Sequence, residues 1–267
     1  MKHALVAMGV AFGATLMASH AAAQSATDEI AKYREMIADG NPAELFEAKG
    51  ELLWKKADGP KKASLEKCDL GLGPGVVKGA YAQTPRYYAD TDRVQDAESR
   101  LLTCMETLQG FSAAEIAKTP FGRGKKADVV ALVTYLSAES KGVKVNVKPV
   151  HAKEKEAMAL GRKAFFQQAG PYDFSCASCH GEEGRRIRLQ DLPNITTPAG
   201  AAKGWTTWPA YRVSSGQMWS MQHRLQDCYR QQRFPEPLYG SELTVALSYY
   251  MASLSSGVAM ATPGIKR

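Results

Sequence analysis

Metal-binding side chains are scarce in this chain of 267 residues, which has five histidines and five cysteines in all. A structural zinc site built on a close cysteine pair such as Cys176 and Cys179 needs a second pair of Cys or His ligands. Beyond residue 180 the chain holds only His223 and Cys228, which excludes that reading. No βαβ pattern surrounds the pair, which argues against a thioredoxin-like dithiol. Sustained strand alternation is almost absent, so a sheet-dominated fold is excluded as well. Past the first two dozen residues no apolar run is long enough to cross a bilayer. Disorder is excluded in turn by a hydrophobic content of 45%.

What the chain does have is the run FSCASCHGEEG, from Phe174 to Gly184. A Cys-x-x-Cys-His sequence is the attachment signature of a c-type haem. Cys176 and Cys179 then form thioethers to the porphyrin, and His180 ligates the iron from one face. The N-terminus fits export: MKH is a short basic start, ALVAMGVAFGATLMA an apolar run of signal-peptide length, and SHAAAQ a small-residue cleavage site. We expect a signal peptide over residues 1–23, a mature chain from Gln24 and a periplasmic location. The formal charge of +7, with a pI near 9.1, suits an anionic substrate or an acidic partner.

The sequence repeats itself weakly. SRLLTCMETLQGF (99–111) resembles HRLQDCYRQQRF (223–234), and ALVTYLSAESKG (131–142) matches ALSYYMASLSSG (246–257) without gaps. Both copies place a cysteine four residues after an arginine, at Arg100 and Cys104 and again at Arg224 and Cys228. We read an all-α fold with extensive loops and two cytochrome-like domains, 24–145 and 150–267. Cys68 falls near the place where the first copy should hold a haem motif, yet it lacks a second cysteine and a histidine. The first domain is therefore expected to be haem-less, with Cys68 free to bridge to Cys104 and Cys228 left unpaired. Helices are expected over 24–40, from Asn41, over 90–109, from 152, over 217–231 and over 241–254, with a capping pattern at 112–115 and an extended linker at 142–150.

The second axial position on the iron decides the chemistry. Met218, Met221, His223, Cys228, Met251 and Met260 compete for it. A methionine would make an ordinary electron carrier. Cys228 has the stronger case, because Arg224 lies one helical turn before it on the same face and a neighbouring cation favours a thiolate.

At these residues the chain resembles the SoxA family, the larger cytochrome subunits of thiosulfate-oxidising SoxAX complexes. The exported start, the paired domains, CASCH and Arg224-x-x-x-Cys228 followed by RFPEP carry the likeness. Many members hold a haem in the first domain too; this chain lacks that motif and resembles the single-haem form with a Cys68–Cys104 disulfide. The resemblance implies one covalent haem c on Cys176 and Cys179, ligated by His180 and by Cys228 as a persulfide, with Arg224 binding substrate. It also implies coupling of thiosulfate to a cysteine of the carrier SoxYZ, with electrons leaving to the small cytochrome subunit SoxX. Arg185, Arg186, Arg188, Arg230 and Arg233 are candidates for an anion-attracting field. The competing function is a non-catalytic, single-haem electron-transfer cytochrome.

Overall fold

The computed structural model describes residues 40–187 and 190–266, with 32, 33, 35 and 36. The expected signal peptide, most of the expected helix 24–40 and Arg188 lie outside the described residues. The described residues of 42–185 and 192–266 form one compact body.

Helix α1 (Ala43–Lys55) precedes a long loop region holding one 3-10 turn, Tyr81–Gln83. A hairpin of β1 (Arg86–Tyr88) and β2 (Arg93–Gln95) leads into α2 (Ala97–Cys104), which continues as a π-helical turn over Met105–Gln109. The first copy ends with α3 (Ala113–Lys118), capped by Ser112, and α4 (Gly124–Ala138). The second copy contributes α5 (Ala152–Phe166) and the short α6 (Cys176–His180). A separate two-stranded hairpin, β3 (Arg186–Ile187) with β4 (Gln190–Asp191), comes next in the chain. Beyond it lie α7 (Pro198–Trp205), β5 (Ala210–Arg212), β6 (Gln217–Trp219), α8 (Met221–Gln231), α9 (Glu242–Leu254) and β7 (Gly264–Lys266). The last three strands form one sheet in the order β6-β5-β7.

Helices dominate, but the all-α expectation needs correcting for these three small sheets. The expected helices 90–109 and 217–231 start late for one reason. Asp96 and Ser220 act as N-caps, taking the third-residue amides of α2 and α8, and a cap residue has extended backbone, so what precedes it is strand. The 142–150 linker is extended as expected yet bound: Val145 and Val147 are buried, and Val145 exchanges backbone hydrogen bonds with Gly257 and Val258.

The same close helix crossing occurs once in each copy. A Cβ added at Gly50 of α1 would stand 2.1 Å from the Ala131 carbonyl oxygen of α4, and one at Gly161 of α5 would stand 2.0 Å from that of Ala246 in α9. Glycine thus lets the two backbones touch at the same place in each copy. Cys68 and Cys104 are bonded, with their Cα atoms 5.6 Å apart. A link closing a loop of this length contributes about 2 to 4 kcal/mol, mainly through the unfolded chain.

The copies meet where α2 and α8 begin. Glu98 is buried there, accepting from the Gln222 amide at 3.1 Å and the Tyr239 hydroxyl at 2.6 Å. Burial, with Asp96 nearby, pushes its carboxyl up from 4.5 to about 8. Burial also pushes His223 down from 6.5 to about 4. Between pH 4.5 and 8 folded Glu98 keeps a proton that the unfolded chain has lost, so its contribution to stability falls as pH rises through that window. Between pH 6.5 and 4 unfolded His223 gains a proton that the folded form refuses, so its contribution falls as pH drops. The two slopes cancel between about 4.5 and 6.5, and above 6.5 Glu98 acts alone. The melting temperature should fall by roughly 5 °C from pH 6.5 to 8. Glu98→Gln should abolish the alkaline fall; a fall of equal size in that variant would assign it to another group.

Candidate functional site

Helix α6 is a single capped turn. Ser175 accepts from the Ser178 amide while the Ser178 hydroxyl accepts from the Ser175 amide, and this box sets Cys176, Cys179 and His180 at positions i, i+3 and i+4 of one turn. Nδ1 of His180 is 2.9 Å from the Pro193 carbonyl oxygen. A carbonyl can only accept, so the ring proton is on Nδ1 and Nε2 keeps its lone pair for a ligand role. Burial pushes the imidazole pKa down against that hydrogen bond, and Arg224 adds to the fall, so the ring is neutral near pH 7.

Cys176, Cys179 and Cys228 are free thiols, each half-buried. Cys176 is pushed up to about 12 by burial, with Cys228 and Cys179 close enough to add to the rise. The structure therefore brings Cys228 to the Cys-x-x-Cys motif. Its relation to Arg224 differs from the sequence reading. Burial raises the Cys228 thiol more than the Arg224 charge lowers it, and Asp227 adds to the rise. Arg224 is also engaged, donating to Asp227 at 3.0 Å, and Asp227 binds Arg230 at 2.6 Å as well. Arg224 alone does not make a thiolate here; a cation bound directly to the sulfur is needed.

Arg212, on β5, was missed by sequence reasoning. Its half-buried guanidinium lies over the Trp219 ring, 5.2 Å from the centroid. Nε has no hydrogen-bond partner in the protein, nor has Nε1 of Trp219. Burial lowers the Arg212 pKa, the Arg224 charge lowers it further, and Cys228 acts in the opposite sense, which places all three within electrostatic reach. The readable signal was Ser214-Ser215-Gly216, a turn between two short β-prone runs.

The other expected cations contribute less. Arg185 pairs with Glu182 and Arg186 with Asp191, while Arg233 is exposed. The competing iron ligands have other occupations: Met218, Met221, Met251 and Met260 are buried in hydrophobic clusters. His223 is stacked between Trp219 and Phe121, with centroids 4.0 and 3.9 Å away. In the first copy the equivalent Arg100 is buried, held by Asp90 at 2.8 Å and the Asp69 carbonyl at 2.6 Å and lying over Tyr88, while Cys104 is oxidised. One Arg-x-x-x-Cys pair is locked into structure and the other is left available.

A model of the SoxA/TsdA cytochrome c domain matches this chain twice, over residues 49–145 and 160–260. The L-cysteine S-thiosulfotransferase subunit SoxA of Hydrogenophilus thermoluteolus is 56% identical, over 89% of this chain and 87% of its own. The chain belongs to the SoxA family. A subunit SoxA from Hydrogenobacter thermophilus is 34% identical over 98% of this chain and 97% of its own. The crystal structure of SoxXA from P. pantotrophus shares the fold, with a TM-score of 0.72 at 24% identity, covering 88% of this chain and 84% of that one.

A cytochrome c domain carries a haem c, and the residues of this SoxA-family chain fit one. Among the described residues no three His, Cys, Asp or Glu side chains gather closely enough to hold a bare metal ion. Cys176 and Cys179 are unbonded, Nε2 of His180 is unprotonated, and a third sulfur stands close by. The orphaned Nε–H of Arg212, within electrostatic reach of Cys228, is a buried donor that an anion entering the site would satisfy.

Proposed function

We propose that this chain is a haem-containing L-cysteine S-thiosulfotransferase subunit that couples thiosulfate oxidatively to a cysteine of a carrier protein, SoxYZ. The observation that carries this reading is the free sulfur of Cys228 beside two half-buried arginines and the Cys-x-x-Cys-His turn. Cys176 and Cys179 would hold one haem covalently, and His180 and Cys228 would ligate its iron. When bound, that haem would supply an acceptor for the electrons released, and a partner cytochrome, SoxX, would take them onward.

The rest falls to the chain's own side chains. Thiosulfate is a dianion, and the forked guanidinium of Arg224 offers paired, charge-assisted donors to its sulfonate oxygens. Arg212 adds a second cation whose Nε is otherwise unsatisfied. Asp227 sets the orientation of Arg224. Cys228, as thiolate or persulfide, is a polarisable sulfur able to carry the sulfur group. Overall, the outer sulfur of thiosulfate becomes bonded to the carrier sulfur, the thiol proton goes to solvent and two electrons leave. The relatives' names support this activity, and the SoxXA likeness supports a SoxX partner. We assign residues 1–23 to a signal peptide, the location to the periplasm, and 24–145 and 150–267 to the two domains. Among the described residues no helix is long and apolar enough to cross a membrane.

The test is to incubate the periplasm-matured chain and its partner cytochrome with thiosulfate and carrier. The expected product is a carrier cysteine bearing a thiosulfonate, alongside an intact mass for this chain with one haem. A haem-loaded chain that exchanges electrons but leaves the carrier unmodified would favour the electron-transfer cytochrome. Arg212→Gln should raise KM for thiosulfate about tenfold to a hundredfold, the worth of a charge-assisted hydrogen bond, and change kcat far less. An unchanged KM would remove Arg212 from the substrate site.

A further inference from the structure

The first copy holds no Cys-x-x-Cys-His motif, and its Arg-x-x-x-Cys pair is closed. Among its contacts with the second copy, one buried set lies at the start of α8. Glu98 and Gln222 are equivalent positions in the repeat, each the second residue of its helix, and they meet each other. Gln222 N donates to one Glu98 oxygen at 3.1 Å, while Tyr239 donates to the other at 2.6 Å. Gln222 Nε2 donates to Asp96 at 2.5 Å, and Gln222 Oε1 accepts from the Gly240 amide at 3.2 Å. Asp96, Glu98, Ser220, Gln222 and Tyr239 are all buried.

Two helix N-termini thus converge, each with unpaired amides and a partial positive charge. Left alone, such an encounter is unfavourable. Two buried acids from the first copy, Asp96 and Glu98, supply hydrogen-bond acceptors at that meeting point. A buried acid without an ion pair is expensive to keep, and this one is retained with its hydrogen bonds satisfied. Cys228 lies six residues beyond Gln222, about 9 Å along the axis. A tilt of about 10° at the N-terminus therefore moves its sulfur by more than 1 Å, a displacement that can cost on the order of a hundredfold in rate.

We propose that the first copy acts as an abutment for the catalytic helix, with Glu98 as the positioning residue that fixes the N-terminus of α8 and so the placement of Arg224 and Cys228. The locked features of the first copy then have a purpose. The Cys68–Cys104 bridge and the Arg100 clamp hold α2 rigid behind its carboxyl. The proposal rests on the roles given above to Arg224 and Cys228.

The test compares Glu98→Ala and Glu98→Gln in the full, haem-loaded chain with its partner cytochrome. Three quantities are read: kcat and KM for thiosulfate, the low-spin spectroscopic signature of the thiolate-ligated haem, and the melting temperature. Glu98→Ala should lower kcat at least tenfold with KM within about threefold, and should broaden or split the haem signature. Glu98→Gln, which keeps an oxygen for the Gln222 amide, should restore both. A Glu98→Ala protein that melts earlier but keeps kcat and the signature would overturn the proposal. So would a Glu98→Gln variant as impaired as the alanine. If Glu98→Ala fails to fold, Gln222→Ala takes its place and should disturb the signature in the same direction; an unperturbed signature there would also count against it. A wild-type chain that conjugates no thiosulfate would defeat the functional reading instead, and the spectroscopic comparison would still decide this one.

Discussion

Cys228→Ala should leave a folded, haem-bearing protein that conjugates no thiosulfate, with a loss of at least about a thousandfold. No other described cysteine sulfur is available to replace it. Cys68 and Cys104 are bonded to each other, and Cys176 and Cys179 are the positions proposed for covalent haem attachment. A residue that carries a covalent intermediate cannot be bypassed by orientation or charge alone. Stability should change little, because a half-buried cysteine is a small side chain and alanine preserves the helix. The twin substitution in the first copy should do the reverse. Cys104→Ala removes a cross-link, should cost about 2 to 4 kcal/mol, and should slow conjugation only as far as a loosened α2 shifts Cys228, which stays chemically intact. Measuring conjugation rate and melting temperature on both variants separates the two cysteines. Conjugation by Cys228→Ala at more than a few per cent of the wild-type rate would show that the sulfur is not transferred through that residue.

The residues of the proposed site could be picked out of the sequence because they stand at short range. Cys176, Cys179 and His180 are adjacent, and Arg224 and Cys228 are one helical turn apart. The disulfide was legible through the repeat, which left Cys68 and Cys104 as natural partners. What escaped is what depends on distant partners. Arg212 stands in a strand of three residues, too short for alternation to register, and only packing brings it toward Cys228. The charge at Arg224 was overvalued for a related reason. Asp227, three residues on, shares it, and the cost of burying the thiol exceeds what is left. The meeting of Glu98 with Gln222 spans more than a hundred residues, and nothing local announces a buried acid. The fold followed the same division: helices and their caps were readable, while the small sheets depend on pairings that the sequence does not display.

The helix crossing beside the haem motif provides the harshest test of the fold. By propensity alone Gly161→Ala should stabilise α5 by up to about 1 kcal/mol, since glycine is a poor residue in a helix interior. Packing argues the other way and should win. The new Cβ would lie 2.0 Å from the Ala246 oxygen, 2.6 Å from its carbonyl carbon and 3.0 Å from the Tyr250 Cβ. The two closest of these are backbone atoms of α9, so no side chain can rotate out of the way. The helices must separate instead, which disrupts the Phe165–Tyr250 ring contact, now 5.4 Å between centroids, and the packing of the buried α9 face. Overpacking of a tight core typically costs about 1 to 3 kcal/mol, and a clash with main chain belongs at or beyond the upper end. Gly161→Ala should therefore lower the melting temperature by roughly 10 °C, and Gly161→Val should fail to accumulate as haem-loaded protein. Gly50→Ala, facing Ala131 at 2.1 Å, should destabilise to a similar degree. The disulfide remains to restrict the unfolded chain in that copy, so haem incorporation should survive there. Equal or higher melting temperatures for both alanine variants would mean that the backbones do not touch at these glycines, and the paired crossing that defines the two copies would have to be redrawn.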